Sequence, residues 1–112
     1  MRIAVFAAAS FALLSLPATA QSPEASQAQD LTNCAGAVAA LGGVNVLTYA
    51  GSGGGEWRDL LDAILARLNR EPGVEGMTGR YAASAAREYW AERPRAELEA
   101  QGASCRERFG AG

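Results

Sequence analysis

Three acidic residues, Glu56, Asp59 and Asp62, recur at three-residue spacing, which on a helix lines them along one slanting face. Carboxylates grouped in this way could hold a hard cation. Glu88 and Glu92, four apart, have the spacing of an acid/base pair. Arg58, Arg67, Arg93 and Arg95 each stand four residues ahead of an acid, at Asp62, Glu71, Glu97 and Glu99. In that order a helical ion pair contributes only a few tenths of a kcal/mol. Arg80 and Arg87, seven apart on one helix face, have no such acid. With Tyr81 and Trp90 nearby they form a candidate surface for an anion or for a partner's carboxylate.

Other chemistry is excluded more firmly. The chain has no histidine, and with it go the Ser–His, Cys–His and histidine–metal arrangements. The two cysteines, Cys34 and Cys105, are too distant in sequence for a Cys-x-x-Cys redox motif. The acids of the 56–62 segment lie opposite an apolar stripe, where a helix in water carries charge. Asp59 and Asp62 are therefore expected on a solvated face, and so are Glu88 and Glu92. No catalytic residue, cofactor or metal ligand is assigned.

The glycine run Gly51-Ser52-Gly53-Gly54-Gly55, preceded by Val44, Val46 and Leu47, has the outline of a strand, a phosphate-binding turn and a helix. The details oppose it. A dinucleotide fingerprint needs glycine where Glu56 stands, and a P-loop needs a lysine that this chain lacks. Glu56 at the helix mouth would repel the phosphate, and a lone strand has no partner for its backbone groups. The run reads as a hinge that reverses the chain between two helices.

The ends bound the fold further. Arg2, the apolar segment 3–16, Pro17 and the small-x-small site Ala18-Thr19-Ala20 make residues 1–20 a secretory signal peptide. The apolar segment falls short of the roughly 20 residues a membrane span needs. No cysteine follows directly after Ala20, so a lipoprotein anchor is not expected. All ten basic residues are arginine against twelve acids, a net charge of −2 that loss of Arg2 makes more negative by one unit. Such a balance offers no basic field for nucleic acid or anionic lipid. In an exported chain two cysteines read as one disulfide, Cys34–Cys105.

Stepwise, the pattern predicts a polar, flexible arm over 21–29 and a helical domain over 30–110. Leu31, Cys34, Val38 and Leu41 have helical spacing, with Ala35, Ala39 and Gly42 forming a small-residue face. That helix is capped by Asp30 or Thr32 and stops or kinks at Gly42-Gly43. Trp57, Leu60, Leu61, Ile64, Leu65 and Leu68 form one continuous stripe, ended by Glu71-Pro72-Gly73. A third helix starts near Thr78 and carries Tyr81, Ala85 and Tyr89 on one face. Pro94 either kinks it or opens a fourth helix at N1, with Leu98, Gly102, Cys105 and Phe109 continuing. The first helix has few large apolar groups, so the disulfide is expected to keep it docked.

The expected fold is all-α, a small three- to four-helix antiparallel bundle closed by one disulfide. In general plan it resembles small exported helical proteins with an interhelix disulfide, among them acid-stress chaperones and secretion-effector immunity proteins, without a shared motif. The expected function is that of a periplasmic or secreted bacterial binding protein without catalysis, whose partner is another protein of the cell envelope. A holdase-type stress accessory is the alternative, and a small hydrolase a third class.

Overall fold

The computed structural model describes residues 23–51 and 54–110. The expected signal peptide over 1–20, and Ser52 and Gly53 of the hinge, lie outside these residues. Among the described residues there are four helices: α1 (Pro23–Gly42), α2 (Glu56–Leu68), α3 (Met77–Ala91) and α4 (Arg95–Phe109). Among the described residues there is no strand, and Val44 to Leu47 form turn and loop. The fold is the small all-α bundle expected, closed by Cys34–Cys105 with Cα atoms 5.7 Å apart.

α1 departs from the expectation at its N-terminal end and stops where expected at its C-terminal end. The segment 23–29, expected as a flexible arm, is helical from Pro23. Proline suits a first helical position, because its missing N–H would have no intrahelical partner there, and Glu, Ala and Gln are good helix formers. Gln27 and Gln29 are exposed on this helix, so their polarity marks a helix surface and not a coil. At the other end α1 stops at Gly42 through a paired glycine cap. The Gly43 amide donates to the Ala40 carbonyl at 3.4 Å and the Val44 amide to Ala39 at 3.0 Å. Gly43 has φ +67°, where an L side chain is disfavoured, and Val44 buries itself beyond the cap.

The role of α1 is the second correction. It is the central helix, against which α2, α3 and α4 all pack. Leu31, Cys34, Ala35, Ala37, Val38 and Ala39 are fully buried. Small side chains make this possible, since they let three neighbours approach one backbone. At Gly36 a Cβ atom would come within 2.5 Å of Ala86 Cβ and close to the backbone of Arg87, so α1 and α3 meet with no room for a methyl group. Counting large apolar groups underrated this helix, because close approach of backbones also removes surface from water.

α2 buries Leu60, Leu61, Ile64 and Leu68 along its expected stripe. It returns antiparallel to α1: Trp57 lies by Gly42, and Leu61, Ile64 and Leu68 enter a common core with Leu31 and Val38. α4 is also antiparallel to α1, with Asp30 paired to Arg108 at 3.3 Å, Cys34 joined to Cys105, and Leu41 set against Gly102.

Pro94 separates two helices. It sits at the N-cap of α4, one residue before the N1 position expected. α3 likewise starts after Gly76, so Thr78 lies inside the helix and does not cap it. α4 is the poorly anchored element. Its buried residues are Leu98, Gly102 and Cys105. Polar contacts supplement them: Arg106 pairs with Glu56, its guanidinium lies 4.3 Å over the Trp57 ring, and Arg108 donates to Cys34 Sγ at 3.4 Å.

Of the four local ion pairs expected, Arg93–Glu97 at 3.1 Å and Arg95–Glu99 at 3.0 Å form. The hydrogen bond and charge of Glu97 raise the Arg93 guanidinium above its ordinary value. Arg67 instead lies 5.4 Å over the Phe109 ring, linking α2 to α4.

Candidate functional site

The four residues singled out from sequence, Arg80, Tyr81, Arg87 and Trp90, do not form one surface. Arg80, in the first turns of α3, directs its guanidinium into the fold. Its Nη1 donates to the carbonyls of Val46 and Tyr49, both at 2.7 Å. Carbonyls in an irregular loop have no ladder partner, and a cation that bonds two of them fixes the loop firmly. Arg80 is thus a clamp on the α1–α2 connection. Arg87, a half-buried residue, stands where α3 crosses α1, and its Nε is buried without a hydrogen-bond partner. Trp90 donates its indole N–H to Asn33 Oδ1 on α1 at 2.8 Å, so it ties the two helices together.

Tyr81 is the one of the four that faces water freely, at 62 % exposure. It has company on the same helix. Among the described residues the exposed large hydrophobic ones are Met77, Tyr81 and Tyr89, and all three belong to α3. They fall at four-residue multiples with exposed Ala85 between them, which on a helix makes a slowly winding ridge. The inward face of α3 is instead the small pair Gly79 and Ala83. Gly79 lies against the Val74 carbonyl and Leu68, where a side chain does not fit, and the aromatic rings are left outside. Tyr89 meets Trp90 edge-on at 5.2 Å, and the Arg93 guanidinium lies over the Tyr89 ring at 5.6 Å.

A second feature was not anticipated. The α1–α2 loop folds back along α2, with the Tyr49 hydroxyl donating to the Arg58 carbonyl at 3.2 Å and Gly51 arriving beside Asp62. This bounds a cleft of ≈490 Å³ lined by Asp62, Leu65, Leu68, Val74 and Arg80 among others. Asp62 had been expected on a solvated face. It is half-buried, and its Oδ1 is buried with no hydrogen-bond partner. An unpartnered buried acceptor of this kind costs on the order of 1–3 kcal/mol, more when charged. The helical spacing could not reveal this, because the burial comes from a loop. Glu56 and Asp59 do not join Asp62 in a site: Glu56 pairs with Arg106 and Asp59 is exposed. Glu88 and Glu92 are exposed.

Among the described residues no group of three or more Cys, Asp or Glu is placed to hold a metal ion. No helix among them is long and apolar enough to cross a membrane. The chain matches no family model, no curated protein and no solved structure.

Proposed function

We propose that this chain is an exported binding protein of the bacterial cell envelope that acts without catalysis, engaging another protein through the aromatic ridge of α3. The observation that carries this reading is the segregation of Met77, Tyr81 and Tyr89 onto one outward helix face, 47 %, 62 % and 56 % exposed. Large apolar groups gathered on a surface mark interaction sites, and tyrosine contributes contact area at small entropic cost. Arg93 beside Tyr89 adds a cation at the rim. The disulfide and the segment 1–20 support export, since such bonds persist in oxidising compartments.

The test compares the oxidised protein with a Tyr81→Ser/Tyr89→Ser variant in capture from a cell-envelope extract, with thermal melts of both. Both tyrosines are exposed, so the melt should be nearly unmoved. Wild type is expected to retain one dominant protein that the variant loses. Equal capture by the variant would remove the ridge from the interface. Retention of many unfolded chains by both would favour the holdase reading instead.

A further inference from the structure

We infer that the partner engaging the α3 ridge presents a basic segment rich in arginine. This deepens the proposed protein interaction, and rests on it, by naming the chemistry that fits the same face.

The first argument is charge placed inside the footprint. Glu88 follows Ala85 by three residues and Glu92 follows Tyr89 by three, so both acids stand on the ridge's own side of the helix. Both are exposed. Neither joins an ion pair: those among the described residues are Arg93–Glu97, Arg95–Glu99, Arg106–Glu56 and Arg108–Asp30. A tyrosine or methionine about half exposed offers on the order of 100 Å². Three of them supply roughly 300 Å², against about 800 Å² per partner in a standard interface. A protein that covers the ridge therefore also covers Glu88 and Glu92. A carboxylate taken out of water without a cation is costly, so the covering surface must bring the cations.

The second argument is the helix end. α3 has no basic residue in its last turn. Glu88 stands in that turn, and Glu92 is the C-cap. A helix C-terminus carries partial negative charge and favours cations, so both acids sit where their own helix repels them. A cation from outside relieves both repulsions. Nearby arginines are committed elsewhere: Arg80 to the carbonyls of Val46 and Tyr49, and Arg93 to Glu97.

The third is Tyr89, which already receives a guanidinium. Arg93 lies 5.6 Å over its ring while donating two hydrogen bonds to Glu97, at 3.2 and 3.1 Å. Arginine satisfies an aromatic face and a carboxylate together, which an ammonium does less well. The ridge offers the same two elements, exposed tyrosine rings and unpaired carboxylates, to arginines from outside.

The experiment titrates the oxidised protein with alanine-based peptides carrying four arginines, four lysines or four glutamates, followed by amide chemical shifts. The arginine peptide should give saturable shifts at Tyr81, Ala85, Glu88 and Tyr89, weakened at least about tenfold in Glu88→Gln/Glu92→Gln. The lysine peptide should bind several-fold more weakly, and the glutamate peptide not at all. The melting temperature of Glu88→Gln/Glu92→Gln should hold or rise slightly, because the helix end loses two repelling charges; weaker binding is then no loss of fold. The wild-type peptide series decides independently of the variant. A glutamate peptide that binds as well as the arginine one overturns the assignment. So does equal binding of the arginine peptide by the folded variant, or the lack of any saturable response to that peptide. Capture from a cell-envelope extract separates the two readings. A protein lost by Tyr81→Ser/Tyr89→Ser but kept by Glu88→Gln/Glu92→Gln overturns the basic partner and leaves the ridge standing. One kept by both variants overturns the ridge, and the basic partner with it.

Discussion

Reduction of Cys34–Cys105 should release α4 and leave α1 in place. The bond closes a sequence separation of 71 residues, which in the chain-entropy model stabilises the fold by about 4 kcal/mol at 25 °C. Without it, α4 has little to hold it. Leu98 is its one large apolar side chain that is well buried, contributing about 2 kcal/mol. Its ion pairs to Glu56 and Asp30 involve side chains 40–63 % exposed, each contributing about 0–1 kcal/mol after solvent screening. The staple therefore outweighs the unaided docking of the helix it holds.

The assay is hydrogen exchange combined with a thermal melt, on the oxidised protein and with reductant. For a domain of this size the loss converts to a fall in melting temperature of about 15–25 °C. Below the new midpoint, amides of Arg95–Phe109 should lose protection while those of residues 31–41 keep theirs. Loss of protection in α1 before α4 would refute the reasoning and restore the view that the bond anchors α1. An unmoved melt would show that α4 docks by means other than the staple. Cys105→Ala is the matching variant: both cysteines are fully buried, and this one places the change on α4 and leaves the central helix α1 untouched.

Three further outcomes are expected. Gly36→Ala should destabilise by about 1–3 kcal/mol despite the better helix propensity of alanine, because the added methyl meets Ala86 and the Arg87 backbone; a calorimetric melt reads it. Asp62→Asn should raise the melting temperature by a few degrees, since the amide relieves an unpartnered buried carboxylate; a fall would show that Asp62 has a donor in solution. Arg80→Met should loosen the α1–α2 loop, raising exchange at residues 46–51 and costing about 2–3 kcal/mol by leaving two carbonyls without their charged donor.

What the sequence made legible follows from which interactions are periodic. The α2 stripe is set by side-chain spacing alone, and Leu60, Leu61, Ile64 and Leu68 are buried as that spacing requires. The disulfide was legible because two cysteines allow one intramolecular bond. The polar start of α1 was hidden because helix formation there relies on backbone and propensity, with no apolar periodicity to announce it. The outward turn of Met77 and Tyr89 was hidden: it depends on how near α3 comes to α1, where Gly36 leaves no room for a methyl group against Ala86 and the Arg87 backbone. Arg80 was correctly noted as lacking a local acid, yet its partners are carbonyls more than thirty residues earlier in the chain, at separations of 34 and 31. The half-burial of Asp62 likewise comes from a glycine-rich loop folding back, a tertiary event that helix phase does not encode.

The same small-residue construction bears on where the protein works. A core built from alanine and glycine gains its stability from close backbone approach, and α1 obtains that approach on its faces toward α2 and α3. Toward α4 the geometry is different: Gly102 admits Leu41 and the Trp57 ring, but the rest of α4 is exposed apart from Leu98, Cys105 and the half-buried Phe109, Gln101 and Ser104. A fourth helix of this composition gains too little from burial to offset the ordering of its backbone, about 1–2 kcal/mol per residue before hydrogen bonding is credited. A covalent link removes much of that demand by restricting the unfolded chain. The architecture is therefore stable where the thiols stay oxidised and compromised where glutathione keeps them reduced. That dependence supports the proposed export independently of the residues that precede α1, because it arises from the packing of α4 and not from any targeting signal.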